Sequence, residues 1–288
     1  MTSGRSSLGE GARSGGARSR ELALRIGSGA VLAAVALGLT VYGLWSFTGF
    51  IVSWGMVMCW EWGRLVRGRA SDVVLGLHGL AIVAPALLLA SGYGVAAIAV
   101  TVLGVLAVLV MRAGSGDRLS ALGVAYVGLP ILALIWFRSD PGWGWPAVLF
   151  VFAVVWSTDI AAYVFGRLIG GAKLVPRISP NKTWAGFLGG AGSGALAGGL
   201  SATVIGGTSP VSLALVALAL SLIAQLGDLS ESVLKRSFGF KDSSGLIPGH
   251  GGLLDRVDGL VLAAQFAAII ALIKDPAHPG AALLIWGS

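Results

Sequence analysis

Residues 232–258 gather seven charged side chains and a histidine between two apolar runs. Three are acids, Asp242, Asp255 and Asp258, and four are bases, Lys235, Arg236, Lys241 and Arg256. Carboxylates offer the hard oxygens that hold Mg²⁺. Lys, Arg and exposed backbone N–H groups hold phosphate oxygens. The combination is that of metal–phosphate chemistry. In a hydrophobic chain, charge concentrated in this way is functional by default.

Further acids lie just upstream. In Gln225-Leu226-Gly227-Asp228-Leu229-Ser230-Glu231-Ser232, Asp228 and Glu231 are three apart and Lys235 is four beyond Glu231. On a helix all three share one face. A solvated face with an i,i+4 ion pair, worth about 0.2–0.5 kcal/mol, is the alternative; the neighbouring Asp255 cluster favours a site. Asp255 and Asp258 open the next apolar run, also three apart. Acids there suit a helix N-terminus, but capping accounts for one acid better than for two. If Asp228 ends one helix and Asp255 starts the next, Asp228, Asp255 and Asp258 converge at the membrane surface. They would form a Mg²⁺ site shared with substrate phosphates.

Pro248-Gly249-His250-Gly251-Gly252 precedes that helix. Gly251 and Gly252 permit close backbone approach and positive φ, and the N–H groups at the helix start suit an anion. His250 is a candidate phosphate donor or general base, or else a structural loop histidine. His78 and His278 lack such neighbours. Ser179-Pro180-Asn181-Lys182-Thr183-Trp184 supplies hydroxyls, an amide and a lysine ahead of another apolar run; helix capping is the simpler account of its Ser and Thr. Asp159 lies inside an apolar run, about two turns from its polar end, where an acid is costly and marks function by default. The alternative is a packing acid bonded near Ser157 or Thr158.

The elements that must position these groups are membrane helices. Of the 288 residues, 56% are hydrophobic and 11% charged, against about 25% charged in soluble domains. The expected fold is all-α: a polytopic integral membrane protein with about nine transmembrane helices, near residues 22–44, 46–62, 73–91, 93–111, 119–137, 145–166, 184–205, 211–228 and 257–273. The first two spans are also compatible with a re-entrant pair, the second being short and carrying Glu61. Residues 1–20 read as a disordered basic cytoplasmic tail, 21–140 as N-terminal transmembrane helices, and 141–288 as a catalytic transmembrane region with cytoplasmic loops at 167–183 and 229–256. The apolar tail 280–287 is too short to span. The first apolar run has no evident cleavage site and is not expected to be a signal peptide.

Gly189-Gly190-Ala191-Gly192-Ser193-Gly194 and Gly198-Gly199 fall within one span. No strand precedes them, so helix packing is preferred to a nucleotide fingerprint. The single cysteine, Cys59, is expected to pack, and no Cys/His spacing indicates zinc. The net charge of +7 does not indicate nucleic acid, because the basic residues follow the positive-inside pattern. With the N-terminus in the cytoplasm and nine spans, eighteen of twenty Lys and Arg lie on the cytoplasmic side, leaving only Arg138 and Lys274 outside. The expected location is the cell membrane, multi-pass, with both polar loops cytoplasmic.

The stretch Ser232 to Asp258 resembles the signature of the phosphatidate cytidylyltransferase, or CDP-diacylglycerol synthase, family. That signature is Ser-x-apolar-Lys-Arg, four residues, Lys-Asp, a small residue, an apolar-Pro pair, then His-Gly-Gly-apolar-x-Asp-Arg-apolar-Asp. Every fixed position is present. Asp159 with Ala162-Tyr163 and Gly166-Arg167, the Ser179–Thr183 segment with Gly186, and Gln225-x-Gly227-Asp228-x-x-Glu231-Ser232 resemble the family's upstream elements. Asn181 stands where a second lysine is common. The likeness covers about residues 150–262. It implies an enzyme that joins CTP and phosphatidate, with Mg²⁺, into CDP-diacylglycerol and pyrophosphate in phospholipid biosynthesis; a second cation and a homodimer stay open. It implies catalytic roles for Asp228, Asp255, Asp258, Lys235 and Arg236, with Asp228, Asp255 and Asp258 on the metal. It implies substrate contacts from Asp159, Ser179, Asn181, Lys182, Thr183, Glu231, Lys241, His250, Gly251, Gly252 and Arg256. The rivals are a CTP-dependent lipid kinase and a transporter. A transporter would place charge near the midplane in two related halves, whereas here it lies at one rim. A CDP-alcohol phosphatidyltransferase is disfavoured because Asp258-Gly259-Leu260-Val261 lacks the Arg and later acids of that signature.

Overall fold

A computed structural model describes residues 27, 29–69, 71–115, 117–246 and 251–287. The basic tail and His250 lie outside the described residues. In hydrocarbon each backbone N–H must be bonded within its own segment, so long apolar runs become helices. The chain forms α1 (Gly29–Tyr42), α2 (Leu44–Arg67), α3 (Val73–Ala90), α4 (Gly94–Arg112), a 3₁₀ turn (Ala113–Ser115), α5 (Leu119–Arg138), α6 (Gly144–Leu168), strands β1 (Lys173–Val175) and β2 (Ser179–Thr183), α7 (Trp184–Ile205), α8 (Pro210–Ser237), α9 (Leu254–Lys274) and α10 (Pro279–Leu284).

Among the described residues seven helices, α3 to α9, are long and apolar enough to cross a membrane. Their ends match the expected spans within a few residues, except that α8 continues well past 228. The two N-terminal spans among the nine expected differ in kind. α1, as described, has a length of about 21 Å at the rise of a helix, short of the roughly 30 Å hydrocarbon core. α2 has 24 residues but carries Glu61, Arg64 and Arg67. Gly43, in an extended conformation, separates the two. Exposed Val95, Ile98, Val102, Leu106 and Val110 on α4 form the kind of outer face that lipid solvates.

The fold is all-α, as expected, with one short addition: the polar loop over 167–183 contains an antiparallel hairpin that pairs Lys173 with Thr183 and Val175 with Ser179. The polar loop over 229–256 begins as helix, because α8 runs to Ser237. No Gly or Pro lies between Asp228 and Gly239, and Glu231 and Lys235 support the last turns of α8 as an i,i+4 pair.

α6 packs on α7, α7 on α8 and α8 on α9; α2 to α5 pack among themselves, and α5 joins the two groups by contacting α6 and α9. Gly186, Gly190, Gly194 and Gly198 are buried at four-residue spacing along α7. A Cβ at Gly186 would stand 2.6 Å from the Ala162 carbonyl, and one at Gly194 2.6 Å from Ser221 Cβ. This row is a packing face, as expected. Buried Cys59 and Trp62 belong to the core, and buried His78 bonds the Ser120 carbonyl at 2.8 Å.

The two ends of the bundle differ. At one end Arg67 binds Asp72 at 2.9 Å and Ser120 at 3.3 Å, tying α2 to the starts of α3 and α5. The other end is closed by Asp140, which accepts from Trp143 N and Gly280 N, and by Ser209 N, which donates to the Trp286 carbonyl. The C-terminal apolar tail folds back there as α10, burying Leu283 and Leu284.

Candidate active site

The site lies where α8 and α9 cross. A Cβ at Gly227 would stand 2.5 Å from the Asp258 carbonyl, and one at Gly259 3.2 Å from the Ala224 carbonyl. Only glycine allows the backbones this close. Each glycine neighbours an acid, Asp228 on α8 and Asp258 on α9, so the crossing brings both carboxylates together. A cavity of about 760 Å³ opens beside them. α6 contributes Asp159, Tyr163 and Arg167 to its wall, and the hairpin contributes Asn181, Lys182 and Thr183. Thr183 also caps α7 by accepting from Gly186 N at 3.1 Å, which fixes where β2 turns into helix.

Lys182 Nζ lies 2.6 Å from Asp228 Oδ2. Lys235 Nζ lies 2.5 Å from both Glu231 Oε2 and Asp255 Oδ1. Glu231 is buried with 1% exposure, and its Oε1 has no hydrogen-bond partner among the described residues. Asp159, Asp228 and Glu231 are the acidic neighbours of Asp258. The site therefore concentrates negative charge, with Arg167, Lys182, Lys235 and Arg256 as the cationic groups on its wall.

Asp255 is engaged differently from the other two proposed metal ligands. Its Oδ1 takes Lys235; its Oδ2 accepts from Gly252 N at 2.8 Å, Ser243 N at 2.9 Å and Ser243 Oγ at 3.0 Å. Gly251 adopts φ +77, as a residue free of Cβ can. The loop before α9 is thus wrapped around Asp255. Asp228 and Asp258 have the donor chemistry for Mg²⁺, which takes one or two carboxylates and completes its shell with water and substrate phosphate. Among the described residues no three His, Cys, Asp or Glu side chains enclose a metal by themselves.

Of the residues expected from the sequence, Asp159, Asn181, Lys182, Thr183, Asp228, Lys235, Asp255, Arg256 and Asp258 line the cavity. Glu231 sits behind Lys235, and the Gly252 backbone supports Asp255. Ser179, in β2, is paired with Val175 and does not line the cavity. Arg236 and Lys241 are exposed and also stand off it; Arg236 donates to the Phe240 carbonyl at 3.2 Å. Sequence reasoning did not place Tyr163, Arg167, Gln225 and Asp242 on the wall, although all lie in or beside the motifs. It also gave no role to Glu61, which reaches the loop before α9 from α2. The available signal was an acid inside an apolar run.

Residues 23–273 match the model of the cytidylyltransferase family. The chain is 42% identical over 263 residues to phosphatidate cytidylyltransferase from Brucella suis biovar 1 (strain 1330), covering 90% of this chain and 97% of that protein. It is 43% identical over 256 residues to phosphatidate cytidylyltransferase from Brucella abortus biovar 1 (strain 9-941), covering 87% and 94%. A third relative of that name, from Rickettsia bellii (strain RML369-C), is 42% identical over 160 residues, covering 52% of this chain and 67% of that protein. A family match of that extent, which includes every residue that lines the cavity, makes this chain a member of the cytidylyltransferase family.

Proposed function

We propose that this chain is a phosphatidate cytidylyltransferase, which transfers the cytidylyl group of CTP to phosphatidate and releases pyrophosphate. The observation that carries the reading is the cavity itself: acids from three helices face Lys182 and Arg256 at the polar end of a membrane bundle. One substrate of such a reaction is a lipid and the other is not, and a site at a helix-bundle rim is open to both.

A non-bridging oxygen of the phosphatidate phosphate bonds to the α-phosphorus of CTP. The bond from that phosphorus to the oxygen bridging to the β-phosphate breaks, and its electron pair leaves with pyrophosphate. The attacking oxygen is already anionic at neutral pH, so the step needs no strong base. Rate comes from positioning and charge stabilisation. Lys182 and Arg256 offer charged donors to phosphate oxygens. Lys182 would exchange Asp228 for a phosphate as the substrate enters. Asp228 and Asp258 would hold Mg²⁺, which neutralises the triphosphate and the charge developing on the leaving group; Asp255 holds the loop beside them. The active end faces the cytoplasm of a cell membrane in this reading, since that end carries most of the basic residues.

The test uses purified protein in detergent with phosphatidate and CTP labelled at either the α- or the γ-phosphate. Label from the α-position in the lipid product is expected, with turnover lost on chelation of divalent cations and restored by Mg²⁺. Lipid labelled only from the γ-position would make the protein a lipid kinase instead.

A further inference from the structure

We infer that Glu61, on α2 and outside the signature, is a positioning residue that sets the first turn of α9 and thereby aims Arg256 and Asp258 at the cavity. The assignment rests on reading that cavity as the reaction site.

The Glu61 carboxylate has 0% exposure and makes four contacts with one short region. Oε1 accepts from Ser244 Oγ at 2.5 Å and Leu253 N at 2.9 Å; Oε2 accepts from Leu254 N at 2.7 Å and lies 3.3 Å from Ser243 Oγ. A helix start leaves N–H groups without partners inside the helix. α9 has no side-chain cap of its own, because leucine occupies its N-cap position. Glu61 meets that need from 192 positions upstream in the sequence. A carboxylate is favourable there electrostatically.

The contact continues toward the chemistry. Ser243 Oγ lies between Glu61 and Asp255, and Asp255 binds Lys235, which pairs with Glu231. A Cβ at Gly252 would stand 2.5 Å from Glu61 Oε1 and would also strike Ser243 Oγ. The glycine of the loop and the acid of α2 therefore fit one another. The N-terminal helices, which show no part of the catalytic signature, in this way hold the loop on which the signature depends.

Glu61→Gln keeps the shape but replaces one acceptor oxygen with a donor that faces other donors. The experiment reads amide hydrogen exchange in the full-length protein in detergent, together with kcat and KM. Expected in Glu61→Gln is exchange at least about tenfold faster across residues 241–258, with peptides of α6 and α7 unchanged. kcat falls about ten- to a hundred-fold, the scale of a lost charged hydrogen bond, while both KM values stay within about threefold. Glu61→Asp recovers part of the loss. Ser244→Ala, a milder change, shifts exchange and kcat in the same direction, and adds little when combined with Glu61→Gln because both break one network. Wild-type exchange and kcat in Glu61→Gln would overturn the assignment, as would exchange that rises equally in every helix, or fully additive losses in the double variant. Exchange needs no turnover. Failure of the wild-type protein to make CDP-diacylglycerol would refute the reaction, while the exchange result still decides the contact.

Discussion

Lys182 and Asp228 neutralise one another at 2.6 Å across the cavity, each partly exposed to it. A pair in that position is displaceable by substrate: a phosphate can take the lysine while a cation takes the acid. Arg236 belongs to the signature yet points elsewhere, exposed and bonded to the Phe240 carbonyl. The two bases should therefore behave differently. Lys182→Ala is expected to lower kcat/KM by about ten- to a hundred-fold, equivalent to about 1.5–3 kcal/mol for a charged hydrogen bond. Arg236→Ala should stay within about threefold of wild type. Steady-state kinetics with CTP and phosphatidate varied in turn makes the comparison, and equal losses would show that Arg236 swings into the site. Residue types were legible in the sequence because acids and bases are rare in so apolar a chain. The directions of Arg236 and Lys241 were not, since a motif gives spacing and not which way a side chain leaves its helix.

At the scale of elements, the decisive feature is the α8–α9 crossing. Gly227→Ala should raise the intrinsic helix propensity of α8 by about 1 kcal/mol, yet its Cβ would fall 2.5 Å from the Asp258 carbonyl. Backbone atoms cannot turn aside as a flexible side chain can, so overpacking of about 1–3 kcal/mol offsets or exceeds the gain, and Asp258 moves away from Asp228. The expected result is a large loss of turnover with a melting temperature at or below that of wild type. An active, stabilised Gly227→Ala protein would show that the crossing need not be so close. The seven long helices were legible because hydropathy alone sets a span. The hairpin over 173–183 was not: Lys173, Asn181 and Lys182 give it no alternating apolar pattern, and its place is set by the start of α7. The extension of α8 to Ser237 was obscured by its own charges, which mark the end of an apolar run but not of a helix. Glu61 was visible as an isolated acid, but its partners lie about 180–190 positions away, a pairing no local pattern contains.

The whole molecule has a polarity that its ends make plain. Thirteen of the fifteen described Lys and Arg lie at or near the end that holds the cavity, and only Arg138 and Lys274 lie at the other. Those two are occupied locally: Arg138 donates to the Thr40 carbonyl at 2.6 Å, and Lys274 sits 3.9 Å from the Trp286 ring centroid. Basic residues are retained on the cytoplasmic side of short loops, so the cavity end should face the cytoplasm, where CTP is available. Single cysteines test this in a Cys59→Ala background, which removes the one native thiol. Ser243 would be a poor reporter because it is buried between Glu61 and Asp255. Arg177, Lys241 and Ala277 are exposed. Arg177→Cys and Lys241→Cys should resist a membrane-impermeant thiol reagent in intact cells and react in inverted vesicles. Ala277→Cys, beside the start of α10, should show the reverse. Labelling of either cavity-end cysteine from outside intact cells would invert the orientation and leave the site facing away from its nucleotide.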